Sequence, residues 1–310
     1  MNDTPVVAVL KGGVSPEREV SLVSGEAAAA ALSKLFDVEI FDVVEAALPK
    51  GLESKRHVVF NTLHGVFGED GQVQSLLENA GFVYAGCDAA SSELTFDKTE
   101  TKDVLANAGL AVLEDVRFDR RRIPDSKAVV ERLGTDLVLK PNRQGSSIGL
   151  RFIESEEELR RALEDLVFED WLIEPLVVGK EVSIGVLNGA ACEIVELRPK
   201  SGRYDYESKY TKGQTEYLAP APLDEELSGR IKKMAVEAYA ACDCRDFVRV
   251  DLMIDARACP WILEINTLPG LTETSLLPMS AKAMGLNYEK LLRKLVEPAF
   301  SRFSKEYSIC

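Results

Sequence analysis

No apolar run in the 310-residue chain approaches the roughly 18 residues that a membrane-spanning helix requires. The opening segment MNDTPVVAVLKGG also lacks a basic region followed by a long apolar stretch and a cleavage site. A cytoplasmic protein without membrane insertion is therefore expected. Positive charge is scarce: 37 Lys and Arg stand against 51 Asp and Glu, a formal net charge of −14. That balance excludes a general nucleic-acid or anionic-membrane surface, so any anion site must be local. The six cysteines, at 87, 192, 242, 244, 259 and 310, are scattered. They read as reduced and mostly buried, a metal site on Cys242, Cys244 and Cys259 being the minor alternative. Two phosphate-binding orders are missing as well: G-x-x-x-x-G-K-[ST], and G-x-G-x-x-G after the first strand.

The composition that remains, 46% hydrophobic and 28% charged, is that of a folded globular protein large enough for more than one domain. The first third alternates strand-like runs (VVAVL at 6–10, VEIFDVV at 38–44, HVVFN at 57–61) with helical ones, which predicts a parallel α/β unit. Ligands on such sheets lie beyond the C-terminal strand ends. The loops to read are thus KGGVSPEREVS, which brings Glu17 and Glu19 to a helix start, and LHGVFGEDG, which sets His64 directly after a strand. A single histidine so placed is either structural or catalytic.

The segment 91–110 reads as helical. In KPNRQGSSIG, Lys140 follows the buried-strand pattern of Leu137–Leu139, and a Gly/Ser run trails it. Two readings stay open: a surface turn, or a flap of N–H and hydroxyl donors that folds over an anion beside a fixed cation. Glu174 and Glu181 each adjoin an apolar run; they are either exposed edge carboxylates or acceptors in a nucleotide pocket. FVRVDLMID (247–255) and WILEIN (261–266), joined by ARACP, form a strand pair that brings Asp251, Glu264 and Asn266 to one face, with Arg249 sharing the alternation of Asp251. Carboxylate and amide oxygens without sulfur or imidazole suit Mg²⁺. TLPGLTETSLLP then offers a Gly turn and hydroxyls before a helix, an arrangement suited to anion or carboxylate capture.

Taken in order, GGVSPEREVSLVSG, LHGVFGEDG, Asp97-Lys98, KPNRQGSSIG, Glu174 with Glu181, YDYESKY, RVDLMID and LEINTLPGLTETSLLP resemble the D-alanine–D-alanine ligases of the ATP-grasp superfamily over nearly the whole chain. The resemblance implies an α/β protein of three domains with an N-terminal Rossmann-like parallel sheet, divided at 1–92, 93–180 and 181–310. It implies a cytoplasmic, homodimeric enzyme that joins two D-alanines through a D-alanyl phosphate for peptidoglycan synthesis, using ATP and two Mg²⁺ ions, with Mn²⁺ as a substitute. On the same basis Lys98, Lys140, Ser146 and Ser147 meet ATP phosphates, Glu174 and Leu176 border adenine, and Glu181 meets ribose. Lys209 and Tyr210 lie on a closing loop, and Tyr210 joins Ser146 and Glu17 in a hydrogen-bonded closure. Asp251, Glu264 and Asn266 resemble the metal ligands, and Asn266 also belongs to the nucleotide set. Glu17 with His64 holds the first substrate ammonium, Arg249 and the Gly270 N–H stabilise the oxyanion, and Ser275 with Leu276 holds the second carboxylate.

Asn142, Leu176 and Val248 depart from the commoner family pattern, which bears on nucleotide affinity more than on reaction type. A ligase taking D-lactate or D-serine, another ATP-grasp carboxylate–amine ligase, and a non-catalytic ATP-binding regulator are the alternatives. A degenerate regulator would be expected to lose some of Arg249, Asp251, Glu264 and Asn266, all of which are present.

Overall fold

The computed structural model describes residues 5–202, 211 and 213–307. Its first sheet contains β1 (Val6–Gly12), β2 (Val38–Val43), β3 (His57–Asn61) and β4 (Val83–Ala85), all parallel in the order β2-β1-β3-β4. The parallel unit expected from the strand signals is present. Period-two alternation explains how both faces are covered. Val7 and Val9 of β1 join one buried cluster with Ala28 and Leu32 of α1 (Arg18–Leu32), whereas Ala8 and Leu10 join another with Val73 and Leu77 of α2 (Gln72–Asn79).

The segment 91–110, read as one helical stretch, is two helices in the structure: α3 (Ala89–Phe96) and α4 (Lys98–Asn107). Asp97 makes the break. Its backbone is extended, and its carboxylate accepts from the N–H groups of Thr99 at 3.1 Å and Glu100 at 3.0 Å. An Asp that satisfies the free donors of a new helix start outcompetes continuation of the old helix.

A second, antiparallel sheet holds β5 (Val116–Asp119), β6 (Leu137–Pro141), β7 (Arg151–Ile153) and β8 (Asp170–Pro175) in the order β5-β8-β6-β7. The helices α5 (Ser126–Leu133) and α6 (Glu156–Glu164) cover it, with Val129, Leu159 and Leu163 packed against Leu137, Leu139 and Trp171. The third sheet, also antiparallel, orders β9 (Gly179–Leu187), β10 (Ala190–Pro199), β11 (Thr215–Leu218), β12 (Phe247–Asp255) and β13 (Pro260–Asn266) as β11-β10-β9-β12-β13. The helix α7 (Glu225–Ala241) buries Leu227, Ile231, Ala235 and Ala238 against it, the i, i+4 and i, i+3 spacings of one helix face.

After α8 (Leu276–Ala283), the chain ends with α9 (Tyr288–Tyr307), which returns to the first sheet: Leu291, Leu295 and Phe303 share a cluster with Val7, Val9 and Phe60. Asp246, at the entrance to β12, secures the junction. It accepts from Arg302 of α9 at 2.6 and 2.8 Å and from the Gly86 N–H at 2.9 Å. The first sheet is thereby fixed against the third, and the loops after β1 and β3 face the end of β13. Among the described residues no helix is long and apolar enough to cross a membrane. Cys87, Cys192, Cys242 and Cys244 are buried free thiols, and Cys259 is exposed.

Candidate active site

Two cavities meet between the three sheets. The smaller, about 210 Å³, lies between the second and third sheets, with Val138, Phe152, Leu176, Met253 and Leu263 among its apolar walls. Its polar edge comes from β6 and β8, where Val138 pairs with Glu174 and Lys140 with Leu172. Lys140 and Glu174 are therefore diagonal neighbours on one sheet face, within reach for long side chains. Their ion pair is 2.6 Å, and Lys102 of α4 donates to the other Glu174 oxygen. Burial pushes the Glu174 carboxyl upward, but Lys140 and Lys102 outweigh it, and the net direction is below the usual carboxylate range. Glu174 is thus a buried acceptor that stays charged. Leu176 and Glu181 line the same cavity, as do Ser147 and Asp251.

The third sheet supplies the charged floor. Asp251 pairs directly with Glu264 and Arg249 with Asn266, so the convergence expected of this strand pair is observed. The ladder slips just beyond Asp251, where Leu252 pairs with Ile262. Arg249 Nε and Nη2 contact the Asp251 carboxylate at 2.9 and 2.6 Å, and Ser183 Oγ donates to Asp251 at 2.6 Å. Asn266 Oδ1 accepts from the Leu268 N–H at 2.9 Å. Asp251, Glu264 and Asn266 offer oxygen donors only, a set that fits a hard cation sharing its coordination sphere with substrate phosphate oxygens. Among the described residues, no group of three or more His, Cys, Asp and Glu is placed to hold a metal ion; the set here is two carboxylates and an amide.

The larger cavity, about 460 Å³, is bounded by Glu17, His64 and Glu69 from the first sheet's loops, by Ser24 of α1, by Ser146, and by Gly270, Ser275 and Leu276. Glu17 sits at the start of α1, where its N–H donates to Ser15 Oγ, and Ser15 Oγ in turn donates to the His64 carbonyl at 2.5 Å. Two glycines make room for its carboxylate. A Cβ at Gly65, φ +74°, would lie 2.7 Å from Glu17 Oε2, and one at Gly145 would lie 3.1 Å from it. Ser146 donates to Glu17, which joins the β6–β7 loop to the first sheet's loops. Ser146 and Ser147 hold positive φ, +52° and +56°, so this run is a defined turn over the cavity.

His64 is 5% exposed, with Nδ1 at 3.0 Å from Glu69 and Nε2 at 3.2 Å from Ser24. At the opposite wall Ser275 precedes α8, and its Oγ accepts from the Thr272 N–H at 3.1 Å.

Lys98, Gln144, Arg249 and Glu264 border both cavities. Lys98 opens α4. Its Nζ donates to the Gln144 carbonyl at 2.7 Å and lies 3.7 Å from Glu264. Burial, with Lys140 nearby, pulls its pKa below the ordinary lysine value despite Glu264. An anion arriving at this junction would restore the charge balance that burial disfavours.

The structure thus brings Glu17, His64, Ser146, Arg249, Gly270, Ser275 and Leu276 to one cavity. Lys140, Ser147, Glu174, Leu176, Glu181 and Asp251 lie at the other, with Lys98 and Glu264 at their junction and Asn266 beside it. Lys209 and Tyr210 lie outside the described residues. Sequence reasoning missed Lys102, Asp115, Glu69, Ser24, Gln144 and Ser183. The one available signal was Lys102, one helical turn after Lys98 and so on the same face. Of the positions noted as unusual, Asn142 Oδ1 accepts from the Thr99 N–H at 3.0 Å, and Val248 is core.

Comparison with known proteins finds relatives over nearly the whole chain. Residues 41–87 match the family model described as D-ala D-ala ligase N-terminus, and residues 104–297 match D-ala D-ala ligase C-terminus. A D-alanine–D-alanine ligase of Methylacidiphilum infernorum is 41% identical over 303 residues, covering 96% of each chain. One from Thermotoga maritima is 43% identical over 308 residues, covering 95% of this chain and 97% of the relative. The crystal structure of the D-alanine–D-alanine ligase from Bacillus anthracis complexed with ATP superposes with a TM-score of 0.84 at 29% identity, covering 97% of this chain and 99% of that one.

Proposed function

The chain belongs to the D-alanine–D-alanine ligase family, and we propose that it joins two D-alanines to D-alanyl-D-alanine at the expense of ATP, supplying a peptidoglycan precursor. The observation that carries this reading is the junction of the two cavities at Lys98, Gln144, Arg249 and Glu264. A nucleotide in the smaller cavity would present its terminal phosphate to a substrate in the larger one.

In the first step, a carboxylate oxygen of D-alanine attacks the γ-phosphorus, the bond to ADP breaks, and a D-alanyl phosphate forms. Glu17 receives the ammonium of this first D-alanine, with His64, fixed between Glu69 and Ser24, beside it. Lys98 and Lys140 balance phosphate charge; Ser146 and Ser147 close over it. The apolar walls hold the purine, with Glu174 accepting at its edge beside Leu176, and Glu181 accepts from ribose. In the second step, the amine of another D-alanine attacks the acyl carbonyl, and phosphate leaves. Arg249 and the Gly270 N–H face the developing oxyanion, donors of a kind worth about 3 kcal/mol each in other enzymes. Ser275 and the start of α8 at Leu276 hold the second carboxylate.

Asp251, Glu264 and Asn266 would hold two Mg²⁺ ions, or Mn²⁺ in their place. When bound, they would supply positive charge to neutralise phosphate oxygens. The three sheets support a division into three units, proposed at 1–92, 93–180 and 181–310; the first bound falls within α3, the second within β9, and α9 packs back on the first sheet. A cytoplasmic location, where ATP is available, and a homodimer complete the proposal.

Lys209 and Tyr210 belong to it on sequence alone: the Tyr210 phenol is assigned to the Ser146–Glu17 closure and to a preference for D-alanine over D-lactate as acceptor. Phosphate release from ATP, measured with D-alanine, L-alanine, D-serine and D-lactate at pH 7.5, tests the substrate assignment. D-alanine should be the best substrate and the dipeptide the product. Equal ester and amide formation when D-alanine and D-lactate compete would overturn the acceptor assignment.

A further inference from the structure

Behind the nucleotide cavity a line of alternating charge runs outward from Glu174 through Lys102 and Asp115 to the exposed Arg117, and only Glu174 takes part in the proposed chemistry. Lys102 is 3% exposed and does not line the cavity. Its ammonium bonds Glu174 on one side and Asp115 at 2.6 Å on the other, and Asp115 is held at 2.8 Å by Arg117. Glu174 faces the cavity and has two cationic partners, Lys140 within the cavity and Lys102 outside it. A ligand can displace or reorient Lys140. Lys102 is out of its reach.

We infer that Lys102 is a positioning and specificity residue: from α4 it fixes the Glu174 carboxylate, ionised, at the edge of the purine slot, so that the site selects an amine over a carbonyl at that edge. The inference rests on the proposed nucleotide site and adds the residue that sets its base selectivity. An ionised carboxylate only accepts hydrogen bonds, so it welcomes the exocyclic amine of adenine and repels the carbonyl oxygen of a 6-oxopurine. Without Lys102, Glu174 would keep one cation instead of two in the same buried setting, and burial favours the protonated form. A protonated carboxyl donates as well as accepts and would tolerate the carbonyl. Asp115, itself held in place by Arg117, meets Lys102 from the far side, so that with Glu174 this buried lysine is not left short of counter-charge.

The test compares ATP with inosine triphosphate in dipeptide synthesis by the full chain. The unmodified protein should prefer ATP, and Lys102→Met should reduce the ratio of the two kcat/KM values at least tenfold, chiefly through KM for ATP, with KM for D-alanine within twofold. Lys102→Arg, which keeps the charge, should retain most of the preference. Should Lys102→Met not be recovered folded, as judged by circular dichroism, Lys102→Gln gives the same comparison with a neutral polar side chain. A purely structural lysine would lower activity with both nucleotides by one common factor, and that result would overturn the inference. Absence of ATP-dependent ligation in the unmodified protein would instead remove the proposed function beneath it.

Discussion

Asp251 and Glu264 face each other across the β12–β13 ladder, immediately before the ladder slips by one residue. A bulge re-aims the strand that carries it, and here it follows the two carboxylates at the floor shared with the nucleotide cavity. Their environments differ: Asp251 is chelated by Arg249 and Ser183, whereas Glu264 has Lys98 at 3.7 Å.

That difference makes Glu264 the more informative position to change. Glu264→Gln keeps the size of the side chain but removes one charge from the proposed cation site and the counter-charge from Lys98. Turnover should fall at least a hundredfold, equivalent to about 3 kcal/mol in the barrier, and the Mg²⁺ concentration giving half-maximal rate should rise. Titration of the rate with Mg²⁺ checks both. Unchanged turnover and Mg²⁺ requirement would remove Glu264 from the metal assignment.

The Ser146–Glu17 hydrogen bond joins two regions of the chain separated by 129 positions. Ser146→Ala leaves Glu17 without this donor and without the closure of the turn above it. A lost bond to a charged group is worth about 1.5–3 kcal/mol. We expect KM for the first D-alanine to rise roughly tenfold to a hundredfold, with a smaller change for ATP. Initial rates over a matrix of both substrates separate the two, and an effect confined to ATP would contradict the assignment of Glu17.

How far such a site can be read without coordinates depends on the distance over which its parts act. The β12–β13 pairing was legible because both strands alternate and a short turn joins them, so Arg249, Asp251, Glu264 and Asn266 had to share a face. Lys98 and Lys140 carried local context too, one after a capping Asp and one at a strand end. Lys102 did not. Its meaning comes from Glu174, 72 positions away, and nothing near Lys102 announces that partner. The return of α9 to the first sheet was hidden for the same reason: its apolar face is plain, but not the sheet that it covers. The break at Asp97 was within reach, since Asp97 and Glu100 have the spacing of a helix-start signal, but the continuous helical composition on either side masked it.

The charge line behind the nucleotide cavity also predicts how stability responds to acid. Asp115 is pushed upward by burial, but Arg117 and Lys102 pull it net below the ordinary carboxylate value; Glu174 behaves likewise between its lysines. A carboxylate depressed in the folded state contributes stability above its unfolded pKa, near 4, and that contribution disappears as pH falls through the lower folded value. The melting temperature should hold steady from about pH 7 to 5 and decline below about pH 4. Asp115→Asn should melt lower than the unmodified protein at pH 7, and the gap should narrow as pH falls below about 4 and the Asp becomes protonated. A gap that stays constant across this range would show that the Asp115 charge contributes nothing.

The central claim is that the two cavities meet so that a substrate carboxylate attacks the terminal phosphate of ATP. Supplying D-alanine labelled with ¹⁸O in its carboxylate, together with ATP and Mg²⁺, and analysing the products by mass spectrometry tests it most directly. The account predicts one D-alanyl-D-alanine for each phosphate released, with one labelled oxygen transferred from D-alanine into that phosphate. Dipeptide-free ATP hydrolysis, or phosphate carrying no label, would contradict it.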